Sequence, residues 1–303
     1  MSAVNLSINP NMTKPTIFSE TAHVLTHESL PASQYLLRLE TPQCAEHVQP
    51  GNFIHLNCGQ ERFRLKRPFS VLRANREQGW IEILYKVVGS GTQDLSRVEI
   101  GDTLGCMGPI GNSFTLSPNT KRPLLLGGGV GIPPILFYAE HLKKNNNVTP
   151  MVIMGSEIPF PFKIQPSKII IDGIPNDVIA AMTLLEDLSI PSRLTSKQNY
   201  LGCYDGYIHE LAKLWLDTLP RDSQHEVEIF ACGPTLMLKA VAELSQQYSI
   251  PCQLSLEEYM ACAVGGCAGC TVKTVNKQGE EYMKRVCVDG PIFTAETIYP
   301  LSV

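Results

Sequence analysis

The sequence predicts a multidomain α+β protein with an antiparallel β-barrel, a doubly wound parallel α/β domain and a small cysteine-rich lobe at the C-terminal end. Short β-rich runs fill the first third of the chain, strands alternate with helical patterns in the middle, and the end carries a dense group of cysteines. A length of 303 residues suffices for two or three domains that each bury their own core.

The composition excludes several classes of function. Charged residues make up 18% of the chain and the net charge is −4, so we expect small-molecule or protein partners and no nucleic acid. The N-terminal stretch MSAVNLSINPNMTKPTIF has no basic start followed by an apolar run, and no apolar stretch is long enough to span a membrane. We therefore expect a cytoplasmic protein.

The first domain is predicted over residues 16–118. Four runs, FIHLNC, FSVLRA, WIEILYKVV and DTLGCMGP, alternate apolar with polar positions and are separated by turn residues. This pattern indicates an antiparallel sheet or a small barrel.

The second domain is predicted over residues 119–251. The stretch RPLLLGGGVGIPPILFYAEHLKK is typical of a strand, a glycine loop and a helix, and the segments after it alternate between buried strands and helices. Among them, NDVIAAMTLLEDL predicts a helix over residues 176–188. The proline-rich residues 158–175 do not fit the alternation and are predicted to form an insert.

The third domain is predicted over residues 252–303, where a metal centre would supply the stability that so small a module lacks. Cys262, Cys267 and Cys270 follow C-x4-C-x2-C, and sixteen residues separate Cys270 from Cys287. This spacing is typical of plant-type [2Fe–2S] centres, whereas zinc sites usually bring their ligands in two C-x2-C-like pairs. A zinc or redox-disulfide loop is the alternative. Five scattered cysteines are expected to fill core or surface positions: Cys44, Cys58, Cys106, Cys203 and Cys252.

Two motifs in the first domain offer a flavin site. In LKRPFSVL, Phe69 can pack on an isoalloxazine, Ser70 can hydrogen-bond near its reactive nitrogen, and Arg67 can bind a pyrophosphate. An arginine-capped strand edge explains the same residues. In LYKVVGSGTQDLS, Gly91 and Thr92 lie in a turn whose amides can hold a phosphate, and a simple β-turn is the alternative.

Two motifs in the second domain offer a nucleotide site. LGGGVGIPPI places glycines where a strand leads into a helix, so a dinucleotide pyrophosphate can approach the helix N-terminus, and a tight structural turn is the alternative. FACGP places Cys232 at the carboxyl edge of the sheet, where ligands bind in such folds, although a lone cysteine there is usually a packing residue. The glycines concerned are Gly127, Gly128, Gly129 and Gly131.

In chain order, these motifs resemble those of the ferredoxin–NADP reductase superfamily. More narrowly, SLEEYMACAVGGCAGC and VCVDGPIF resemble the cluster-binding signature of the electron-transfer subunits of NAD-dependent dihydroorotate dehydrogenase. The resemblance covers residues 16–295. It implies an FAD-binding β-barrel, a doubly wound α/β domain that binds NAD(H) or NADP(H), and a C-terminal [2Fe–2S] lobe.

The resemblance also implies which residues form the sites. Ser70 and Cys232 are the implied catalytic residues, with Cys232 near the nicotinamide. The implied cofactor-binding residues are Arg67, Pro68, Phe69, Ser70, Leu84, Tyr85, Lys86, Gly91 and Thr92 for FAD, and Gly127, Gly128, Gly129, Gly131, Gly233 and Pro234 for the nucleotide; the cluster ligands are Cys262, Cys267, Cys270 and Cys287.

The implied function is that of an oxidoreductase subunit in pyrimidine biosynthesis, a flavoprotein of electron transport. A nicotinamide gives up two electrons as hydride and an iron–sulfur cluster accepts one at a time, so a flavin must stand between them. The implied partner is the FMN-containing catalytic subunit of dihydroorotate dehydrogenase, in a hetero-oligomer.

Two other functions stay open. One is a reductase of the same architecture that serves a ferredoxin, a hydrogenase or a sulfite reductase complex. The other, of a different class, is a non-catalytic regulatory protein whose cysteines hold zinc.

The choice of nucleotide also stays open. Relatives that use NADH tend to carry acidic residues after the third strand of the nucleotide domain, where LTSKQNYLG here places Ser196 and Lys197. A carboxylate would hold a ribose 2′-OH, whereas a serine and a lysine suit a 2′-phosphate. NADPH use is therefore a hypothesis, and the alternative is that Lys197 is a solvated loop residue.

Overall fold

The first domain is a closed antiparallel barrel. The computed structural model describes residues 17–58, 65–276 and 278–300, so residues 1–16 and the domain limits predicted at residues 16 and 303 lie outside the described residues. The elements are β1 (Phe18–Leu30), β2 (Gln34–Glu40), α1 (Pro42–His47), β3 (Phe53–Leu56), β4 (Arg67–Asn75), β5 (Trp80–Lys86), α2 (Ser90–Leu95) and β6 (Thr103–Ile110). The strands follow one another around the barrel in the order β1-β2-β5-β4-β3-β6, which confirms the predicted barrel.

Alternate residues of these strands form the barrel core, because successive side chains of a strand point to opposite faces. Leu37 and Leu39 of β2 lie opposite Ile83 and Ile81 of β5, and all four are fully buried. The alternation that predicted the strands is thus the alternation that fills the barrel.

The rest of the chain forms a mixed sheet flanked by helices, with a smaller ribbon near the end. Its elements are β7 (Arg122–Gly128), α3 (Ile132–Leu142), β8 (Met151–Gly155), β9 (Ile164–Pro166), β10 (Ala180–Met182), α4 (Thr183–Asp187), β11 (Ser192–Thr195), α5 (Ile208–Thr218), α6 (Arg221–Gln224), β12 (Val227–Cys232), α7 (Thr235–Tyr248), β13 (Cys252–Ser255), β14 (Thr271–Val275), β15 (Glu281–Arg285), α8 (Val286–Asp289), β16 (Ile292–Thr294) and α9 (Ala295–Ile298). The large sheet has the order β11-β8-β7-β12-β13-β16 and is parallel except for its last strand.

The large sheet is covered on both faces, as the doubly wound prediction requires. On β7, Leu125 packs into the buried cluster that includes Ile135 of α3, whereas Leu124 packs into the cluster that includes Leu211 of α5 and Val241 of α7. Neighbouring residues of one strand therefore meet helices on opposite faces. The predicted fold class is confirmed.

The C-terminal segment begins and ends with strands of the large sheet. Strand β13, which the sequence placed in the C-terminal lobe, pairs in parallel with β12, and β16 returns to pair antiparallel with β13. Residues 256–291 lie between these two strands and contain the antiparallel ribbon β14–β15. Buried residues such as Leu254 make β13 a core strand of the second domain.

The helix predicted over residues 176–188 is wrong in its first half. Ala180–Met182 forms β10, which is buried and pairs antiparallel with β9, and only Thr183–Asp187 is helical. A short apolar run has no period long enough to distinguish a buried strand from a helix. Strand β9 comes from the predicted insert 158–175, so that segment is part of the second domain's framework.

Polar and apolar contacts join the barrel to the second domain. Arg73 of β4 donates hydrogen bonds to Glu140 of α3, with Nη2 lying 2.7 Å from Oε1. Near the start of the predicted insert, Phe160 is buried in the cluster against which Leu30 packs, and Gln34 Nε2 donates to Pro159 O over 2.9 Å. The two domains therefore meet through both an ion pair and apolar packing.

Candidate flavin, cluster and nucleotide sites

Strand β4 carries the residues predicted to contact a flavin. Arg67 and Ser70 are half-buried, whereas Phe69 is only 9% exposed and belongs to the barrel core. The ring of Phe69 meets Tyr85 of β5 edge to face, with centroids 5.7 Å apart, so the structure brings these two predicted residues together. Phe69 does not present a free aromatic face, because its ring fills the barrel.

Arg67 lies over the first turn of α2, where the sequence predicted a turn. A Cβ added to Gly91 would lie 3.3 Å from Arg67 Nε, so a side chain at this position would push the guanidinium slightly away from the backbone. Thr92 Oγ1 accepts the N–H groups of Val88 and Gly89, which caps the short helix that replaces the predicted turn. A guanidinium above a bare glycine backbone is a setting that fits a pyrophosphate.

The four clustered cysteines form two contact pairs. The backbone N–H of Cys267 lies 3.4 Å from Cys262 Sγ, and the side chains of Cys270 and Cys287 are within hydrogen-bonding reach inside one buried cluster. In the described ranges, no three histidine, cysteine, aspartate or glutamate side chains converge as a single-ion site requires. Two pairs match a two-iron centre, in which each iron takes two thiolates.

Backbone N–H groups favour the thiolate form in part of this group. Hydrogen bonds from the backbone of Val264 and Cys267 lower the pKa of Cys262 to about 6, whereas burial raises the pKa of Cys287 to about 11. The loop is thus arranged to direct N–H groups at sulfur, as a cluster needs.

Arg285 fixes the loop that carries three of the cysteines. Its Nη1 donates to Gly265 O over 3.0 Å, and Gly265 has φ +82°, a conformation that glycine adopts without strain. A Cβ at Gly265 would overlap Val288 and lie 3.1 Å from Arg285 Nη1. The glycines of the cysteine motif therefore let loop and strand approach each other.

Phe53 connects the predicted flavin strand with the cysteines. It pairs directly with Ser70 across β3 and β4, and its side chain belongs to the buried cluster that contains Cys270 and Cys287. Adjacent strands lie about 4.8 Å apart. The strand predicted to hold a flavin is therefore one strand away from the buried cluster that contains Cys270 and Cys287.

His55 is a residue at this boundary that the sequence analysis missed. It lies on β3 with 1% exposure, its Nε2 has no hydrogen-bond partner among the described residues, and the backbones of Lys66 and Met260 are near its ring. Burial lowers its pKa, and the charges of Lys66 and Arg67 lower it further. The alternation of β3 predicted only that position 55 would share a face with Phe53.

The glycine loop after β7 is closely packed at two of its glycines and open to its surroundings at a third. A Cβ on Gly131 would overlap the Cys232 carbonyl, and one on Gly128 would overlap Met237 Sδ. Gly129 has φ +55° and nothing within 4 Å of its Cβ position. Gly131 is therefore needed for packing against the backbone at Cys232, whereas Gly129 faces open space.

The first turn of α3 differs from the expected pyrophosphate site. Pro133 and Pro134 stand in it, so it lacks two of the amide donors that a helix N-terminus usually offers. The remaining donors come from the loop itself, which contacts strand β5 of the barrel. The predicted nucleotide loop thus neighbours β5, the strand that carries the implied FAD-binding residues Leu84, Tyr85 and Lys86.

Cys232 ends β12 and is completely buried. Burial raises the pKa of its thiol, and the carboxylate of Glu257 raises it further. Desolvation by the surrounding protein also raises the pKa of the Glu257 carboxyl, although the residue keeps contact with solvent. The sequence analysis missed Glu257 because it stands beside the cysteine motif as one acidic residue of a pair; its proximity to Cys232 depends on β13 lying next to β12.

Ser196 and Lys197 follow β11, as predicted, but both have partners. Ser196 is 2% exposed and donates to Ser156 O over 2.6 Å, while Lys197 Nζ lies 3.0 Å from Asp205 Oδ1. The hydroxyl of Ser196 is therefore engaged inside the protein.

Two family models match the chain. One is described as the iron–sulfur cluster binding domain of dihydroorotate dehydrogenase B and covers residues 257–299. The other is described as an oxidoreductase FAD-binding domain and covers residues 21–114.

Curated relatives align with nearly the whole chain. The dihydroorotate dehydrogenase B (NAD(+)) electron transfer subunit of Caldanaerobacter subterraneus subsp. tengcongensis is 34% identical over 279 residues, which cover 91% of this chain and 97% of the relative. This chain belongs to the family of dihydroorotate dehydrogenase B electron transfer subunits. Family members of the same name from Desulforamulus reducens and Geobacillus kaustophilus are 30% and 33% identical, over 90% and 86% of this chain and 95% and 91% of their own.

Solved structures share the fold of this family member. A structure described as an NADH-dependent reduced ferredoxin-NADP oxidoreductase aligns with a TM-score of 0.71 at 24% identity, covering 92% of this chain and 90% of the other. Phthalate dioxygenase reductase aligns with a TM-score of 0.56 at 13% identity, covering 88% of this chain and 76% of the other. Among the described residues, no helix has the length and apolar character needed to cross a membrane.

Proposed function

We propose that this chain is an oxidoreductase subunit that passes electrons between NADH and the catalytic subunit of dihydroorotate dehydrogenase, through FAD and a [2Fe–2S] cluster, in pyrimidine biosynthesis. Its family membership supports this function, as do the two matched domains for FAD and for an iron–sulfur cluster. The single observation that carries it is the position of Phe53, which pairs with Ser70 of β4 and belongs to the buried cluster that contains Cys270 and Cys287.

Separate residues would hold each group. Arg67, above Gly91, would bind the FAD pyrophosphate, Ser70 would lie beside the flavin ring, and the cysteine pairs would bind the two irons. Bound FAD would take up electrons in pairs and release them singly, which the cluster requires. The chain itself orients these groups, and Phe53 and Ile110 exclude water between barrel and lobe.

The surface around the cysteine loop suits a protein partner. Tyr259 is 94% exposed, Val264 50% and Val288 48%, and Cys267 is exposed beside them. Exposed apolar side chains grouped in this way are typical of interaction surfaces. We propose that the FMN-containing catalytic subunit covers this surface, with its flavin close to the cluster.

Three further assignments remain proposals. We place the domain boundaries so that the cluster lobe spans 256–291 and the strands on either side belong to the nucleotide domain, which the pairing of β13 with β16 supports. We keep Ser70 and Cys232 as the residues nearest the reacting atoms. We also propose a cytoplasmic location, which the ten cysteines without disulfides support.

Purification from native extract, followed by a visible spectrum and identification of the bound partner, tests the function. We expect flavin and iron–sulfur absorption in one chain and an FMN-containing partner. Cys267→Ser should abolish the cluster's EPR signal and leave the flavin bound, while Cys203→Ser should change neither. A colourless preparation containing zinc contradicts the proposal, and a ferredoxin, hydrogenase or sulfite reductase as partner contradicts the choice of acceptor.

A further inference from the structure

The end of β11 brings a lysine and an aspartate together at the edge where nucleotides bind. After Thr195 the chain leaves the sheet and returns so that Tyr204 forms a parallel bridge with Thr195. This return places Asp205 beside Lys197, with Oδ1 3.0 Å from Nζ. Ligands in doubly wound sheets bind outside the carboxyl ends of the strands, and the group after such a strand end contacts the ribose.

The Ser196 hydroxyl cannot hydrogen-bond to a phosphate without giving up the hydrogen bonds that it makes in this structure. Its hydroxyl donates to Ser156 O over 2.6 Å and accepts the N–H of Gln198 over 3.1 Å. Of the serine and lysine that suit a 2′-phosphate, only Lys197 has a side chain in reach of solvent.

Carboxylates outnumber this ammonium in its surroundings. The hydrogen bond to Asp205 and the negative charges of Asp205 and Glu210 raise the pKa of Lys197. Glu157, two residues after β8, accepts a hydrogen bond from Gln198 over 3.3 Å. Asp205 is the carboxylate in direct contact, and its side chain is 64% exposed. A 2′-phosphate would meet net negative charge here, whereas a ribose 2′-OH can donate to the Asp205 carboxylate.

We propose that Asp205 makes this site select NADH over NADPH, by neutralising Lys197 and by repelling a 2′-phosphate. The inference rests on the proposed function, because it assigns specificity to that function's nucleotide site. It explains how a serine and a lysine that favour NADPH in the sequence occur in a family whose members are named for NAD(+).

The test compares Asp205→Asn with wild type as purified holoprotein. Flavin reduction by NADH and by NADPH is followed in a stopped-flow instrument, and the dissociation constant of 2′,5′-ADP is measured by equilibrium titration. We expect the NADPH/NADH ratio of kcat/KM to rise about tenfold and 2′,5′-ADP to bind about tenfold more tightly, as loss of one close charge allows. The double variant Asp205→Asn with Lys197→Ala should lose most of both gains.

Asp217→Asn is the matched control, because Asp217 forms a similar exposed ion pair with Lys213 within α5, with Oδ2 2.6 Å from Nζ. The inference is overturned if Asp205→Asn changes the ratio and the 2′,5′-ADP affinity less than threefold, if Asp217→Asn changes them equally, or if the double variant keeps the gains. Failure of wild type to reduce its flavin with either nucleotide would instead overturn the proposed function.

Discussion

Arg285 is the residue that ties the cysteine loop to the strand leading to Cys287. We predict that Arg285→Met, which removes the hydrogen bond to Gly265 O, weakens retention of the cluster about 10- to 100-fold, as loss of an outer-shell partner usually does. Iron per chain after gel filtration and the EPR spectrum measure this. Lys273→Met, which breaks an exposed ion pair with Glu281 in the same lobe, should leave both unchanged. Equal iron loss in the two variants would contradict the prediction.

His55 makes the stability of the protein sensitive to acid. Its pKa is lowered in the folded state, so the unfolded chain binds the proton more readily, and stability falls as the pH drops below about 6.5. We predict that His55→Gln reduces the loss of Tm between pH 7.5 and pH 5.5, as measured by calorimetry. Burial on α3 also lowers the pKa of His141, so His141→Gln should likewise reduce the loss of Tm between these two pH values. An unchanged Tm difference between the two pH values in His55→Gln would refute this.

At the scale of elements, β3 is the strand that couples the barrel to the cluster lobe. Phe53→Ala should lower the free energy of unfolding by about 3–5 kcal/mol, because it empties a buried aromatic position, and Phe53→Leu should cost less. We predict that Phe53→Leu slows cluster reduction after mixing with NADH, since it loosens the buried cluster that contains Cys270 and Cys287.

Phe114→Leu provides the control for this prediction. Phe114 is equally buried but packs against Tyr138 and Phe230, in a cluster that does not contain Cys270 or Cys287. Rapid mixing with detection at cluster wavelengths should show slower reduction in Phe53→Leu alone. If both variants slow the step alike, β3 has no special part in it.

Elements with a clear local period were predictable from the sequence. The alternation in β5 and the strand, glycine loop and helix around Gly129 needed only neighbouring residues to be recognised. Strand β10 was missed because its short apolar run fits either period, and β16 was missed because its place depends on pairing with β13, which is distant in the chain. Prediction of the site residues followed the same division. The cysteine spacing was local, whereas the effect of the Glu257 charge on Cys232 and the contact of Asp205 with Lys197 required the folded chain.

For the whole molecule, one ion pair helps to fix the two large domains relative to each other. We predict that Glu140→Gln lowers the free energy of unfolding by about 1–2 kcal/mol, since Arg73 loses a charged hydrogen-bond partner across the domain boundary. Calorimetry should show Tm lowered by about 2–5 °C and a broader transition. Asp94→Asn removes a surface ion pair with Arg97 that lies within the barrel domain, and it should leave the transition sharp. A transition as sharp in Glu140→Gln would contradict the prediction.

The two ends of the cluster lobe lie side by side. Ser255 and Ile292 are partners across β13 and β16, and Leu256 N–H donates to Pro291 O over 2.9 Å. The lobe therefore connects two adjacent antiparallel strands. A short turn from Ser255 to Ile292 could replace it without cutting any strand of the sheet. A chain of this kind can gain or lose its iron–sulfur outlet by one excision, and a flavin reductase whose electrons leave directly from the flavin would be left behind.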